Sequence, residues 1–293
     1  MKPAAFEYFR PDTVDEVLEL LERHEMDAKI IAGGQTLGPL LNMRLAVPGV
    51  LVDINHVAEL GYRRTQPDGG LAIGALTRQS TLEDDTSLKA SQPLVHEAIP
   101  HIAHRAIRNR GTVAGSLSHA DPAAEWTGLV TALDADLVLK GPRSAERVLK
   151  PADFFQGILT TAIEPVELLA EIRLPAWPDG AGWSFMEVNR RHGDFALAGV
   201  LVRLGVDAAG RMQDPRMALI GMSDRPVRAL EAEQVLRGAQ PEDACFSEAV
   251  DVMCRHLDPM DDLHASAGYR LQAASTLMRR ALNQARSRIG TNA

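Results

Sequence analysis

Lys29-Ile30-Ile31-Ala32-Gly33-Gly34-Gln35-Thr36-Leu37 reads as a short apolar strand running into a paired-glycine turn and then into a helix start. A step of this kind gathers free backbone N–H groups and the positive end of a helix dipole at the loop. Glycine there lets the main chain approach a ligand closely and adopt positive φ. A second loop follows about eighty residues on, Gly111-Thr112-Val113-Ala114-Gly115-Ser116-Leu117-Ser118-His119, continued by Ala120-Asp121-Pro122-Ala123-Ala124-Glu125-Trp126. Both loops are rich in small side chains and hydroxyls and poor in positive charge, which suits a diphosphate held by main-chain amides. A plain strand-to-helix turn accounts for either loop alone. Two in one domain-sized stretch point to a large dinucleotide bound across both.

The residues around the first loop predict a compact βαβ unit. Thr13-Val14-Asp15-Glu16 reads as a capping box, and Val14, Val17, Leu18 and Leu21 give helical spacing over 13–25. A strand is expected over 29–32, a helix over 37–45 with Pro39 in its first turn, and a parallel strand over 50–54. The nicotinamide-dinucleotide fingerprint G-x-G-x-x-G does not fit glycines at 33, 34 and 38, although Asp53 stands where that fold places its ribose-binding acid. No Gly-Lys-Ser/Thr occurs, which excludes a P-loop.

Beyond residue 55 the elements shorten. Strands are expected over 70–75, 135–140 and 168–174, a short helix starts at 80–83, and 152–155 reads as a turn. Pro93 opens a longer helix over 94–109, bent by Pro100, and 126–133 reads as helical or buried. Two prolines and a glycine within 175–180 mark a domain boundary. After it come strands over 183–189, 196–204 and 217–220, then helices over 226–236, 241–256 and 262–286. The expected division is 1–176, with lobes of about 1–55 and 56–176, followed by 177–293.

Apolar content of 45% and charged content of 24% are those of a globular protein, and a net charge of −8 argues against nucleic acid or anionic membrane as a partner. The N-terminal residues 1–7 carry no signal-peptide apolar core and no apolar run is long enough to span a bilayer, so a cytoplasmic location is expected. Two cysteines, Cys245 and Cys254, cannot ligate an iron–sulfur cluster between them. His101 and His104, with His119 near in sequence, lack a carboxylate at a recognised zinc spacing, so no metal site is expected. Asp121 and Glu125 read as charges at a helix start rather than an acid/base pair. Ser116 and Ser118 beside His119 lack a nucleophile elbow. Tyr269 and Arg270 read as packing or subunit contact.

Taken in order, these strings resemble the FAD-binding medium subunit of the molybdenum hydroxylases, the group of carbon monoxide dehydrogenase, xanthine dehydrogenase and bacterial N-heterocycle hydroxylases. The resemblance covers essentially the whole chain. It is carried by Ala32-Gly33-Gly34-Gln35-Thr36-Leu37, Ile73-Gly74-Ala75-Leu76-Thr77, Thr112-Val113-Ala114-Gly115-Ser116, Arg190-Arg191-His192-Gly193-Asp194-Phe195-Ala196, and the 262–270 stretch with Ser266, Tyr269 and Arg270. It implies an α+β chain: a two-lobed FAD-binding domain of the vanillyl-alcohol-oxidase-like (PCMH) type, plus a C-terminal α+β domain with a small antiparallel sheet and helices. By motif, Lys29, Ile30, Ile31, Ala32, Gly33, Gly34, Gln35, Thr36 and Leu37 hold the diphosphate and adjacent ribityl groups. Thr112, Ala114, Gly115 and Ser116 form the opposing wall, with His119 in the same set and Glu125 a polar contact. Ile102 and Leu169 pack nearby, and Asp194 and Phe195 approach the flavin ring. The family commonly has Thr-Ile-Gly-Gly-Asn in the second loop and histidine at the position of Gln35. Ala114 and Ser116 therefore depart from it, and a loop alanine is expected to be ordinary or slightly strained in backbone.

What the resemblance implies about function is an electron-transfer oxidoreductase subunit carrying FAD. A large partner subunit bears the molybdenum-pterin cofactor and a small one bears two [2Fe–2S] clusters, as a dimer of heterotrimers. No catalytic residue for the organic substrate is expected on this chain. A stand-alone FAD-dependent oxidoreductase with its own substrate pocket is the alternative, and a non-catalytic nucleotide-binding or scaffold protein a third reading.

Overall fold

A computed structural model describes residues 2–291. At its start, the strand Val50–Asp53 lies between Glu7–Phe9 and Ala28–Ile31 and pairs with both in parallel. The helix Val14–His24 covers this sheet with Val14, Val17, Leu18 and Leu21, the face that the spacing predicts. Thr13 caps it by accepting the Glu16 N–H at 3.2 Å. Glu16 reaches back to the N–H of Asp12 (2.8 Å) rather than to that of the cap itself. The edge strand Glu7–Phe9 has no sequence signal of its own, being three residues that are mostly exposed.

A five-stranded antiparallel sheet follows, ordered Arg63–Thr65, Leu71–Gly74, Leu168–Leu174, Asp136–Lys140, Glu146–Leu149. The long helix expected over 94–109 is instead three pieces: Pro93–Ala98, a 3₁₀ turn Ile99–His101, and Arg105–Arg108. Pro100 supplies no N–H, and Ala103 turns the chain at φ 45°. The carbonyls left over are taken by the buried Arg108 guanidinium, which donates to Ile102 O (2.7 Å) and Ala103 O (3.0 Å) while forking onto Glu83 at 2.8 and 2.7 Å. A helix end can stop in the interior when a side chain satisfies its carbonyls in this way. The short helix expected at 80–83 is present as Gln79–Glu83, begun one residue earlier, whereas 152–155 lies in a one-turn helix Pro151–Phe154 and the strand after it.

The C-terminal sheet is antiparallel in the order Gly182–Val188, Ala198–Val206, Met212–Ile220, Val227–Arg228. Helices Leu230–Leu236, Asp243–Arg255 and Ala267–Ser287 back it. The first of these is shorter than expected because residues 227–228 add an edge strand. The last begins at Ala267, capped by Ser266, because residues 262–265 fold around the Asp262 carboxylate, which accepts from the N–H groups of His264 and Ala265. Arg270 is a packing residue: buried, it donates to Leu197 O (2.6 Å) and pairs with Asp262 at 2.6 Å.

Side chains alternate across a strand, and this sheet uses both faces. Ala198, Val200, Val202 and Leu204 join the core under the C-terminal helices, whereas Leu201, Ala218 and Ile220 join the core of the preceding residues. What they meet there is the helix Glu125–Leu133, every residue of which is buried. Its Gly128 is the point of closest approach: a Cβ there would lie 2.6 Å from both Ile220 Cγ2 and Leu201 Cδ1. Among the described residues no helix is long and apolar enough to cross a membrane.

Replacing Gly128 tests that contact. Helix propensity favours any ordinary side chain over glycine by up to ~1 kcal/mol, whereas overpacking a core costs about 1–3 kcal/mol. Gly128→Leu is expected to lower stability by roughly 2 kcal/mol in urea unfolding; a variant as stable as the parent would show that the interface yields freely.

Candidate functional site

The two glycine loops lie against each other. A Cβ on Gly33 would sit 2.4 Å from the Arg110 carbonyl oxygen and 2.8 Å from the Gly111 Cα, so only glycine admits this approach of the first loop to the start of the second. Gly34 beside it has φ +70°. Side chains pin the junction: Asn55 Nδ2 donates to Ala32 O (2.8 Å), and the Arg78 guanidinium donates to Asn55 Oδ1 and to the Arg110 carbonyl. Gln35 folds back and donates to Gly33 O at 2.9 Å, bracing its own loop. Behind it, the Gln79 N–H donates to Gly111 O (3.0 Å), while its buried Oε1 lacks a partner.

The second segment is less of a loop than it reads. Thr112 is an N-cap whose Oγ1 accepts the Gly115 N–H at 3.1 Å, and Val113–His119 is helical. Ala114 therefore lies in a first helical turn, where alanine is the most favoured residue, and its backbone is unstrained. Gly115 leaves room for the cap, since a Cβ there would come within 2.7 Å of Thr112 Oγ1.

Between these walls runs a cleft of about 700 Å³. Residues 29–37 line one side, and Thr112, Ala114, Gly115, Ser116, His119 and Glu125 another, with Ile102, Leu169, Asp194 and Phe195 completing the lining. All the residues singled out by motif thus border one space. The cleft also takes in Gln79, Asp121 and the segment 159–165. That segment has no motif to announce it: it contains the two-residue strand Thr160–Thr161, paired with Phe155–Gly157, and is joined to the cleft wall by the Leu159 N–H donating to Ala120 O at 3.3 Å. Among the described lining residues Lys29 is the one Lys or Arg, against Glu25, Asp121, Glu125, Glu164, Glu167 and Asp194. An anion bound here must be held by backbone amides and hydroxyls rather than by cations.

His101 and His104 do not converge on a metal. His101 Nδ1 faces Glu187 Oε1 at 3.3 Å, and its ring packs edge-on against Phe185 at 5.0 Å; His104 abuts Gly193. Among the described residues no group of three or more His, Cys, Asp or Glu is arranged to hold a metal ion.

Glu125 begins its helix, as its place in the sequence implies, and its carboxyl is enclosed. Only 4% exposed, it is the first residue of its helix and lines the cleft. Burial, then the nearby Glu187 carboxylate, then Asp121, push its carboxyl up from 4.5 to about 8, opposed by its own backbone N–H. Asp121 does serve the chain locally, accepting the Ala123 N–H at 2.9 Å.

Because the folded-state value of Glu125 is raised, the folded protein binds the proton more tightly than the unfolded chain does. Its contribution is whole below about pH 4.5 and is lost as pH rises toward about 8. The expected loss is at most about 1.4 kcal/mol per pH unit. Thermal melts of the ligand-free chain across that window should show the decline in the parent and a flatter profile in Glu125→Gln. Parallel profiles would contradict the assignment.

Comparison with known proteins matches both halves of the chain. Residues 4–177 match the model of the FAD binding domain in molybdopterin dehydrogenase, and residues 183–285 match the CO dehydrogenase flavoprotein C-terminal domain. The caffeine dehydrogenase subunit beta of Pseudomonas sp. (strain CBB1) is 39% identical over 290 residues, covering 99% of this chain and 97% of that one. The carbon monoxide dehydrogenase medium chain of Hydrogenophaga pseudoflava is 35% identical over 290 residues, covering 98% and 99%. Among solved structures, carbon monoxide dehydrogenase from H. pseudoflava superposes with a TM-score of 0.94 at 35% identity, covering 99% and 100% of the two chains. Quinoline 2-oxidoreductase from Pseudomonas putida 86 does so with 0.91 at 34%, covering 98% and 99%. With both halves of the sequence matched and a cleft built from the same loops, the chain belongs to the family of FAD-binding medium subunits of the molybdenum hydroxylases.

Proposed function

We propose that this chain is the electron-transfer subunit of a heteromeric molybdenum hydroxylase, taking electrons from [2Fe–2S] clusters on a small partner and passing them to an external acceptor. The observation that carries this reading is the cleft itself: two glycine-bearing segments in contact, rich in backbone N–H groups and nearly free of cations. Those features fit FAD, whose diphosphate suits amides at close range and whose adenosine and flavin parts need a long apolar trough.

When bound, FAD supplies the redox chemistry, and the protein supplies binding, orientation and electrostatics. In this reading the N–H groups of residues 32–37 hold the diphosphate, with Thr36 and Ser116 offering hydroxyls; at the start of the helix Val113–His119 the N–H groups of Val113, Gly115 and Ser116 are taken by Thr77 and Thr112, which leaves that of Ala114. Ile31, Ile102 and Leu169 exclude water along the trough. Asp194 and Phe195, the latter 57% exposed, stand at the cleft edge where the C-terminal domain meets it. No side chain of this chain is assigned to the organic substrate, whose recognition we place on the large molybdenum-pterin partner.

Cysteine supply supports the division of labour. Two cysteines cannot provide four thiolates, and Cys245 and Cys254 sit on the helix Asp243–Arg255, away from the residues lining the cleft. Relatives named as a subunit beta, a medium chain and a medium subunit support membership of a larger assembly, which we propose to be a dimer of heterotrimers in the cytoplasm.

Expression of the chain alone is expected to yield a yellow protein with about one flavin per chain and no turnover of an organic substrate. Co-purification with the products of neighbouring genes should add iron–sulfur absorbance and molybdenum. Turnover by the isolated chain would favour a self-sufficient oxidoreductase instead. Gly33→Val and Gly115→Val, which thrust side chains at the Arg110 carbonyl and the Thr112 hydroxyl, are expected to lower flavin content more than about tenfold. Full flavin content in both variants would overturn the placement of the cofactor.

A further inference from the structure

The cleft holds a carboxyl whose surroundings are unlike those of the rest of its lining. Glu125 is buried, borders the cavity, and hydrogen-bonds its own backbone N–H. Three charged groups act electrostatically on its carboxyl. Glu187 comes from the strand Gly182–Val188, Asp121 from the loop ahead of its own helix, and Arg108 from the short helix Arg105–Arg108. Arg108 is already committed to Glu83 and to the carbonyls of Ile102 and Ala103, so the remaining balance at Glu125 is negative.

Glu187 is itself enclosed, with its side chain 2% exposed. One of its oxygens takes Asn189 Nδ2 at 3.0 Å and faces His101 at 3.3 Å, while Oε2 is buried without a partner. Two enclosed carboxyl groups, one from each domain, cannot both be charged at small cost. An ionised Glu125 would also repel the diphosphate that the neighbouring amides attract, whereas a protonated one carries an O–H that can donate to a ligand in the cavity it lines.

We propose that Glu125 meets the bound dinucleotide as a neutral carboxylic acid, donating its hydrogen to a ligand oxygen, and that Glu187 is the positioning residue that keeps that proton in place. The inference rests on the cleft being the FAD site, and it adds that cofactor retention is proton-linked across the domain interface. Glu125 then selects for a ligand presenting an acceptor oxygen there, and the C-terminal domain influences that contact through Glu187 on the strand Gly182–Val188.

Calorimetric titration of FAD into the full ligand-free chain, between about pH 6 and about pH 9.5, tests this, with buffers of different ionisation enthalpy to count protons. The parent is expected to lose about tenfold in affinity for each pH unit above about 8. Glu125→Gln keeps an N–H donor but cannot ionise, and the break should vanish. Glu187→Gln removes the neighbouring charge and should move the break to lower pH, a shift that a merely structural role would not produce. Affinity of the parent that is flat with pH, or an unmoved break in Glu187→Gln, would overturn the proton linkage while leaving the cofactor site standing. Absence of FAD binding at every pH would overturn the cofactor reading itself.

Discussion

The rest of this structure depends on one close approach, that of Gly33 to the main chain at Arg110 and Gly111. It joins the small parallel sheet to the segment that opens the helix Val113–His119, and so turns two separate glycine motifs into adjoining walls of one cleft. No side chain fits at Gly33, and the residues around it are arranged to keep the gap closed. Asn55 holds the Ala32 carbonyl, Arg78 bridges Asn55 to the Arg110 carbonyl, and Gln35 braces the turn from within. Each of these groups satisfies a polar atom that would otherwise be stranded where the two segments meet.

The second constraint is the helix Glu125–Leu133. It packs against the helices of the FAD-binding domain and, through Gly128, against Leu201 and Ile220 of the C-terminal sheet. Its first residue lines the cleft and its middle forms the domain interface, so cofactor site and interface share one rigid element. That sharing brings the carboxyl of Glu125 under the influence of Glu187, although the two are about sixty residues apart in sequence.

Much of the fold was legible because its signals are local. The Thr13 cap, the spacing of Val14, Val17, Leu18 and Leu21, and the glycine pair before Leu37 each act within a few residues. The misreadings share a physical reason too. The break in the 94–109 helix depends on Arg108 reaching back to carbonyls and across to Glu83, a tertiary contact that no periodicity reports. The shortened helix at 267 depends on Asp262 collecting N–H groups and Arg270. Ala114 looked like a departure from a glycine loop, yet the Thr112 cap makes the position helical and the alanine unremarkable.

Sequence alone determined the strand–glycine–helix steps, the family resemblance and the set of residues that came to border the cleft, because binding a diphosphate through backbone amides demands small residues at short, readable spacings. It also determined that iron–sulfur chemistry must lie elsewhere, since thiolate ligands can be counted. Only the tertiary structure decided how the two loops meet, that segment 159–165 joins the lining, and that the acid opening the helix at Glu125 is enclosed and under the influence of Glu187. The protonation of a carboxyl is set by what surrounds it within a few ångströms, and those neighbours come from elements far apart along the chain.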